Sequence, residues 1–133
     1  MENVPSQSRD PIRVLIVDDE ESIRVSLHFH FEDCGFGTRA AGSAEKAMDL
    51  MEEELPDAVI VDLRLPGMDG MEFIRQASGR WPDVHYIIYT GSPAASVPEE
   101  IGSITGVSRK LFFKPLADLS ELSDEVIRLS GRG

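Results

Sequence analysis

Five short apolar runs recur along this chain, and four of them stop abruptly at a charged or hydroxyl-bearing residue. Arg13-Val14-Leu15-Ile16-Val17 stops at Asp18-Asp19, Ala58-Val59-Ile60-Val61 at Asp62, Val84 to Tyr89 at Thr90-Gly91, and Lys110 to Phe113 at Lys114-Pro115. The remaining run, Thr38 to Ala41, ends at Gly42 with nothing reactive. Runs of this length without polar alternation read as strands buried on both faces. Helical patterns separate them, so the chain alternates β and α five times, which argues for an α/β fold with a doubly wound parallel sheet covered on both faces.

The first intervening segment is ambiguous by pattern. Ile23, Val25, Leu27, Phe29 and Phe31 alternate with polar residues as in a strand, yet Ile23, Leu27, Phe31 and Cys34 also share one helical face. Acidic residues at its start, Gly35 after its end, and the crossover that parallel strands need all select a helix. Ser43 caps a second helix with Ala44, Ala47, Met48 and Met51 on its apolar face, and Pro56 stops it. Asp69 with Glu72 resembles a capping box opening a third helix. Pro93, Pro98, Gly102 and Gly106 leave room only for a short or irregular fourth helix, with Pro98-Glu99-Glu100 as its first turn. A last helix spans Asp118 to Leu129.

The 133 residues, 41% of them hydrophobic, suffice for one core. Residues 1–11 read as a disordered arm, 12–130 as the domain and 131–133 as a tail. A formal charge of −11 argues against direct nucleic-acid binding and favours cations or basic partners. Cys34 has no second cysteine to pair with, and neither a secretory leader nor a membrane span is legible, so a soluble cytoplasmic protein is expected.

If the sheet runs 2-1-3-4-5, the four strands with polar ends are contiguous and the unreactive one is the edge, so Asp18-Asp19, Asp62, Thr90 and Lys114 converge on one rim. Taken singly, each has a plain reading as a helix cap, turn residue or solvated charge. Together they form what phosphoryl transfer to a carboxylate requires. Asp62 is the nucleophile, two more carboxylates make a hard oxygen site suited to Mg2+, Lys114 supplies a fixed charge and Thr90 a hydroxyl donor.

Val17-Asp18-Asp19-Glu20, the stretch from Val61 to Gly70 with its Asp62-Leu63-Arg64-Leu65-Pro66-Gly67-Met68-Asp69-Gly70, Thr90-Gly91 and Lys114-Pro115 together resemble the receiver domain of two-component response regulators, over roughly Ile12 to Leu129. The resemblance implies the flavodoxin-like order 2-1-3-4-5. It implies that Asp62 takes a phosphoryl group from a sensor histidine kinase or phosphotransfer protein, with Mg2+-dependent self-phosphorylation and autodephosphorylation. Asp19, Asp62 and the Arg64 carbonyl would bind Mg2+ directly and Asp18 mainly through water. Thr90 and Lys114 would hold the phosphoryl group, and the Lys114-Pro115 bond would be cis. Leu111, Arg64 and Gly91 fall at switching or modulating positions.

Leu111 stands where the family commonly has an aromatic residue that swings inward as the threonine moves, and leucine cannot form that latch. The broken segment Ser92 to Ser108 alters the same face, so a standard dimer there is not expected and signalling is expected to run through ordering of this segment. Arg64 either tunes the lifetime of the phosphoryl group or is a solvated surface arginine. Val25 and Phe29 share the outer face of the first helix, as isolated apolar residues or as a kinase-docking surface. His28 and His30 read as surface residues rather than ligands. A receiver-like interaction module that is never phosphorylated is the alternative. An aspartyl-nucleophile phosphatase would need a second Asp where Arg64 stands, and a flavodoxin-like cofactor binder would need a phosphate-cradling first loop in place of the acidic one.

Overall fold

The computed structural model describes residues 10–131, so the arm expected at 1–11 and the tail at 131–133 fall almost wholly outside the described residues. The strands are β1 (Arg13–Val17), β2 (Gly37–Ala41), β3 (Ala58–Val61), β4 (His85–Thr90) and β5 (Phe112–Phe113), and the helices are α1 (Glu21–Asp33), α2 (Ala44–Glu53), α3 (Gly70–Arg80) and α4 (Ser120–Ser130). The strands form one parallel sheet in the order β2-β1-β3-β4-β5. Side chains of successive strand residues point to opposite faces, which divides the core in two. Leu15, Val17, Val59, Val61, Tyr86 and Ile88 pack against α2 and α3. Val14, Ile16, Ile60, Ile87 and Tyr89 pack against α1 and α4.

Burial resolves the ambiguous first segment. Leu27 and Phe31 are fully enclosed while Val25 and Phe29 lie on the solvent side, which is helical spacing, and the segment is α1. Ser43 caps α2 by accepting from Lys46 N at 3.1 Å, and Asp69 caps α3 by accepting from Glu72 N at 2.9 Å. Glu72 turns its own carboxylate to Arg75 and Gln76, so the α3 cap lacks the reciprocal half of a capping box.

Two elements are shorter than their patterns suggest. Lys110 N donates to Ser108 Oγ at 3.1 Å, which commits the backbone there to a turn and leaves β5 only the pairs Tyr89↔Phe112 and Thr90↔Phe113. Asp118 accepts from both the amide and the hydroxyl of Ser120, so α4 starts at Ser120 rather than Asp118.

Between β4 and β5 the fourth connection carries two short 3-10 turns, Ala94–Ser96 and Glu99–Ser103. It is nonetheless anchored: Ile101 is buried, Val107 bridges Tyr86, and Arg75 of α3 grips Glu100 with Nε at 3.2 Å and Nη2 at 2.6 Å. Gly106 has φ +90, and a Cβ there would meet Val84 O at 2.8 Å, so the chain can pass β4 this closely only with glycine. No helix among the described residues is long and apolar enough to cross a membrane.

Candidate functional site

The parallel register brings the carboxyl ends of β1, β3, β4 and β5 to one rim, since Val17 lies opposite Val61, Val61 opposite Ile88, and Thr90 opposite Phe113. Asp62, the next residue after β3, is buried, and its backbone is tied to β1 through Asp62 N donating to Val17 O at 3.1 Å. Its Oδ1 accepts from the Thr90 hydroxyl at 2.6 Å and from Arg64 N at 3.1 Å, while Oδ2 accepts from Lys114 Nζ at 2.9 Å. A buried carboxylate is tolerated only when paired and hydrogen-bonded, and this one has all three supports.

Lys114 Nζ also meets Asp18 Oδ2 at 2.8 Å and Glu20 Oε1 at 2.9 Å. Burial works to depress this ammonium, but the hydrogen bonds to Asp18, Asp62 and Glu20 outweigh it and hold its pKa above the usual lysine value, so it stays charged. Burial pushes the Asp18 carboxyl up, against the lowering effect of Lys114 and of Glu20 N, which donates to Asp18 Oδ1 at 2.9 Å. The Lys114-Pro115 peptide is cis. Lys114 N donates to Thr90 O at 2.9 Å, which locks the exits of β4 and β5 together.

Asp18, Glu20 and Asp62 each offer a carboxylate oxygen within 4.8 Å of the others, with Asp18 and Asp62 buried. Three carboxylates facing a single ammonium form an oxygen-rich, electronegative pocket, and that donor set suits a hard divalent cation. Asp19, which the resemblance assigned as a direct ligand, is exposed and stands outside this group. Arg64 is exposed, with its amide on Asp62; Gly91 is exposed beside Lys114; Leu111 is half-buried against the α2–α3 side of the core. His28 bonds Thr38 Oγ1 and His30 bonds Ser123 Oγ at 3.0 Å, and neither belongs to the carboxylate group at the rim.

Three residues at or next to the site carry no sign of their role along the chain. Glu20 is one more acid in an acidic run. Gly70 reads as half of an Asp-Gly pair, but a Cβ there would lie 2.1 Å from Asp62 O and 2.6 Å from Leu63 Cα, so α3 can start against the Asp62 backbone only with glycine. Glu45 on α2 accepts from Met68 N at 3.0 Å, and that bond holds its carboxyl below the usual range. No local signal connects Glu45 to a loop 23 residues away.

The model of the family described as response regulator receiver domain matches residues 14–125. Sporulation initiation phosphotransferase F of Bacillus subtilis is 32% identical over 114 residues, covering 86% of this chain and 90% of that protein. Response regulator MprA of Mycolicibacterium vanbaalenii is 32% identical over 112 residues, covering 84% of this chain but 47% of MprA, so the chain spans about half the length of that relative. Among solved structures, the response regulator TrrA from Thermotoga maritima, in complex with Mg2+ and BeF, superposes with a TM-score of 0.77 at 25% identity, over 88% of this chain and 97% of that one. The 2-1-3-4-5 sheet, the carboxylate rim around Asp62 and these matches lead to one assignment: the chain belongs to the response regulator receiver family of two-component systems.

Proposed function

We propose that Asp62 accepts a phosphoryl group from a phosphohistidine on a sensor kinase or phosphotransfer protein, and that the resulting charge switches the domain's conformation. The observation that carries this reading is the Asp62 carboxylate itself, buried and bonded at once by Thr90, Lys114 and the Arg64 amide. An Asp62 oxygen attacks phosphorus, the N–P bond breaks, and the imidazole leaves with the electron pair. Lys114 and Thr90, already beside that carboxylate, are placed to donate hydrogen bonds to the phosphoryl oxygens. A bound Mg2+ would neutralise charge between carboxylate and phosphoryl oxygens, held by Asp18, Glu20 and Asp62, with Asp19 and the Arg64 carbonyl as the further ligands the family implies. The names of two similar proteins support the reading: one is a phosphotransferase, and TrrA binds Mg2+ with BeF.

On this reading Val25 and Phe29, exposed on α1, form part of the surface that meets the phosphodonor. The signal leaves through residues 92–108, whose hold on α3 is the Arg75–Glu100 pair, and a phosphoryl mimic should raise amide protection there.

The test is incubation with acetyl phosphate and Mg2+, followed by intact mass and a phosphate-affinity gel. We expect a Mg2+-dependent gain of one phosphoryl group that Asp62→Asn abolishes. No gain with acetyl phosphate or with any of several phosphohistidine donors would instead leave a receiver-like interaction module.

A further inference from the structure

Glu20 is the one member of the carboxylate group open to solvent: its side chain is 57% exposed, against 3% for Asp18 and 7% for Asp62. It occupies the N-cap position of α1, yet its side chain makes no capping bond and reaches instead to Lys114 Nζ at 2.9 Å. Capping would satisfy a free helix N–H, and Glu20 forgoes it for an ion pair whose lysine end is largely buried and whose carboxylate end stays in water.

A lysine ammonium has three N–H donors. Here Asp18, Glu20 and Asp62 take all three. A phosphoryl oxygen that is to meet Lys114 while Asp62 is still a free carboxylate must therefore displace one of the three. Asp18 and Asp62 are buried, and losing their partner leaves a charge that water cannot reach, whereas Glu20 can be rehydrated. The ammonium is thus cheapest to free at Glu20. The same side chain lies within reach of a cation shared with Asp18 and Asp62, which offers it a replacement partner.

We propose that Glu20 is a positioning residue that exchanges partners: it holds Lys114 in the cation-free domain, and turns to the divalent cation when one binds, releasing an N–H of Lys114 for the phosphoryl group. The inference rests on the reading of Asp62 as phosphoacceptor, but its test uses no phosphodonor. Mg2+ is titrated by calorimetry into the wild-type domain, Glu20→Gln and Glu21→Gln; Glu21 is an exposed neighbour outside the carboxylate group, so its variant carries the same change in net charge. We expect the Mg2+ Kd to rise about fivefold in Glu20→Gln and to stay within about twofold in Glu21→Gln. In spectra tuned to lysine ammonium groups, Mg2+ should move the Lys114 Nζ signal, assigned with Lys114→Arg, and move it roughly half as far or less in Glu20→Gln.

Equal Kd values in the two glutamine variants, or an equal Lys114 displacement in Glu20→Gln and wild type, would overturn the exchange. A domain that never gains a phosphoryl group would defeat the acceptor reading while leaving both of these measurements readable.

Discussion

Thr90 Oγ1 donates to Asp62 Oδ1 at 2.6 Å and accepts from Ser92 N at 3.1 Å, so one buried hydroxyl joins the proposed acceptor to the first turn of the segment beyond β4. Thr90→Ala removes both bonds, and Thr90→Ser keeps them. Loss of one hydrogen bond to a charged group corresponds to about a tenfold change. The acetyl phosphate reaction should slow by about that factor in Thr90→Ala and recover in Thr90→Ser, read by intact mass against time.

Gly70→Ala should destabilise the domain by roughly 3 kcal/mol, because the new methyl group collides with the Asp62 carbonyl and α3 must shift away from the site. Gly79→Ala is the control: it lies in the same helix, a Cβ there meets nothing within 4 Å, and alanine favours the helix. Urea unfolding of the two variants should show changes of opposite sign.

Val25 and Phe29 are 45% and 61% exposed on α1, the helix that begins at the acidic rim. Changing both to Ser should slow transfer from a cognate phosphohistidine donor and leave labelling by acetyl phosphate unchanged. Equal loss with both donors would count against docking through this face.

Glu125 is buried on α4, where Arg128 donates to it through Nε at 2.9 Å and Nη2 at 2.7 Å, and Ser108 donates at 2.6 Å. The Arg128 bonds foremost hold its carboxyl below the usual glutamate value. A carboxyl whose folded pKa is depressed contributes stability that is complete above its unfolded pKa and is lost as pH falls through the folded one. Glu125→Gln should therefore be less stable than wild type at neutral pH, with the gap closing as pH drops below the ordinary glutamate range. Urea midpoints at neutral and acid pH check this, and a gap that widened in acid would contradict it.

Much of this was legible along the chain, because buried parallel strands announce themselves as unbroken apolar runs and their terminal residues are read off directly. The helical caps at Ser43 and Asp69 were legible for the same reason, each being a bond across three residues. The extent of β5 was not: Ser108 is diverted to Glu125, 17 residues on, and the run Lys110 to Phe113 carries no mark of it. α1 was undecidable by period alone, since its alternation satisfies a strand; its acidic start, Gly35 and the crossover select the helix, and the burial of Leu27 and Phe31 on one face agrees.

The sequence by itself determined the β/α alternation, the family, and the four polar strand ends, since each is a matter of local pattern or short motif. Tertiary structure alone decided which acids share Lys114, that Glu20 rather than Asp19 reaches it, and that Gly70 must lack a side chain. Those outcomes depend on where separate strands stop relative to one another, and sheet register is set by the packing of the whole core rather than by any one segment.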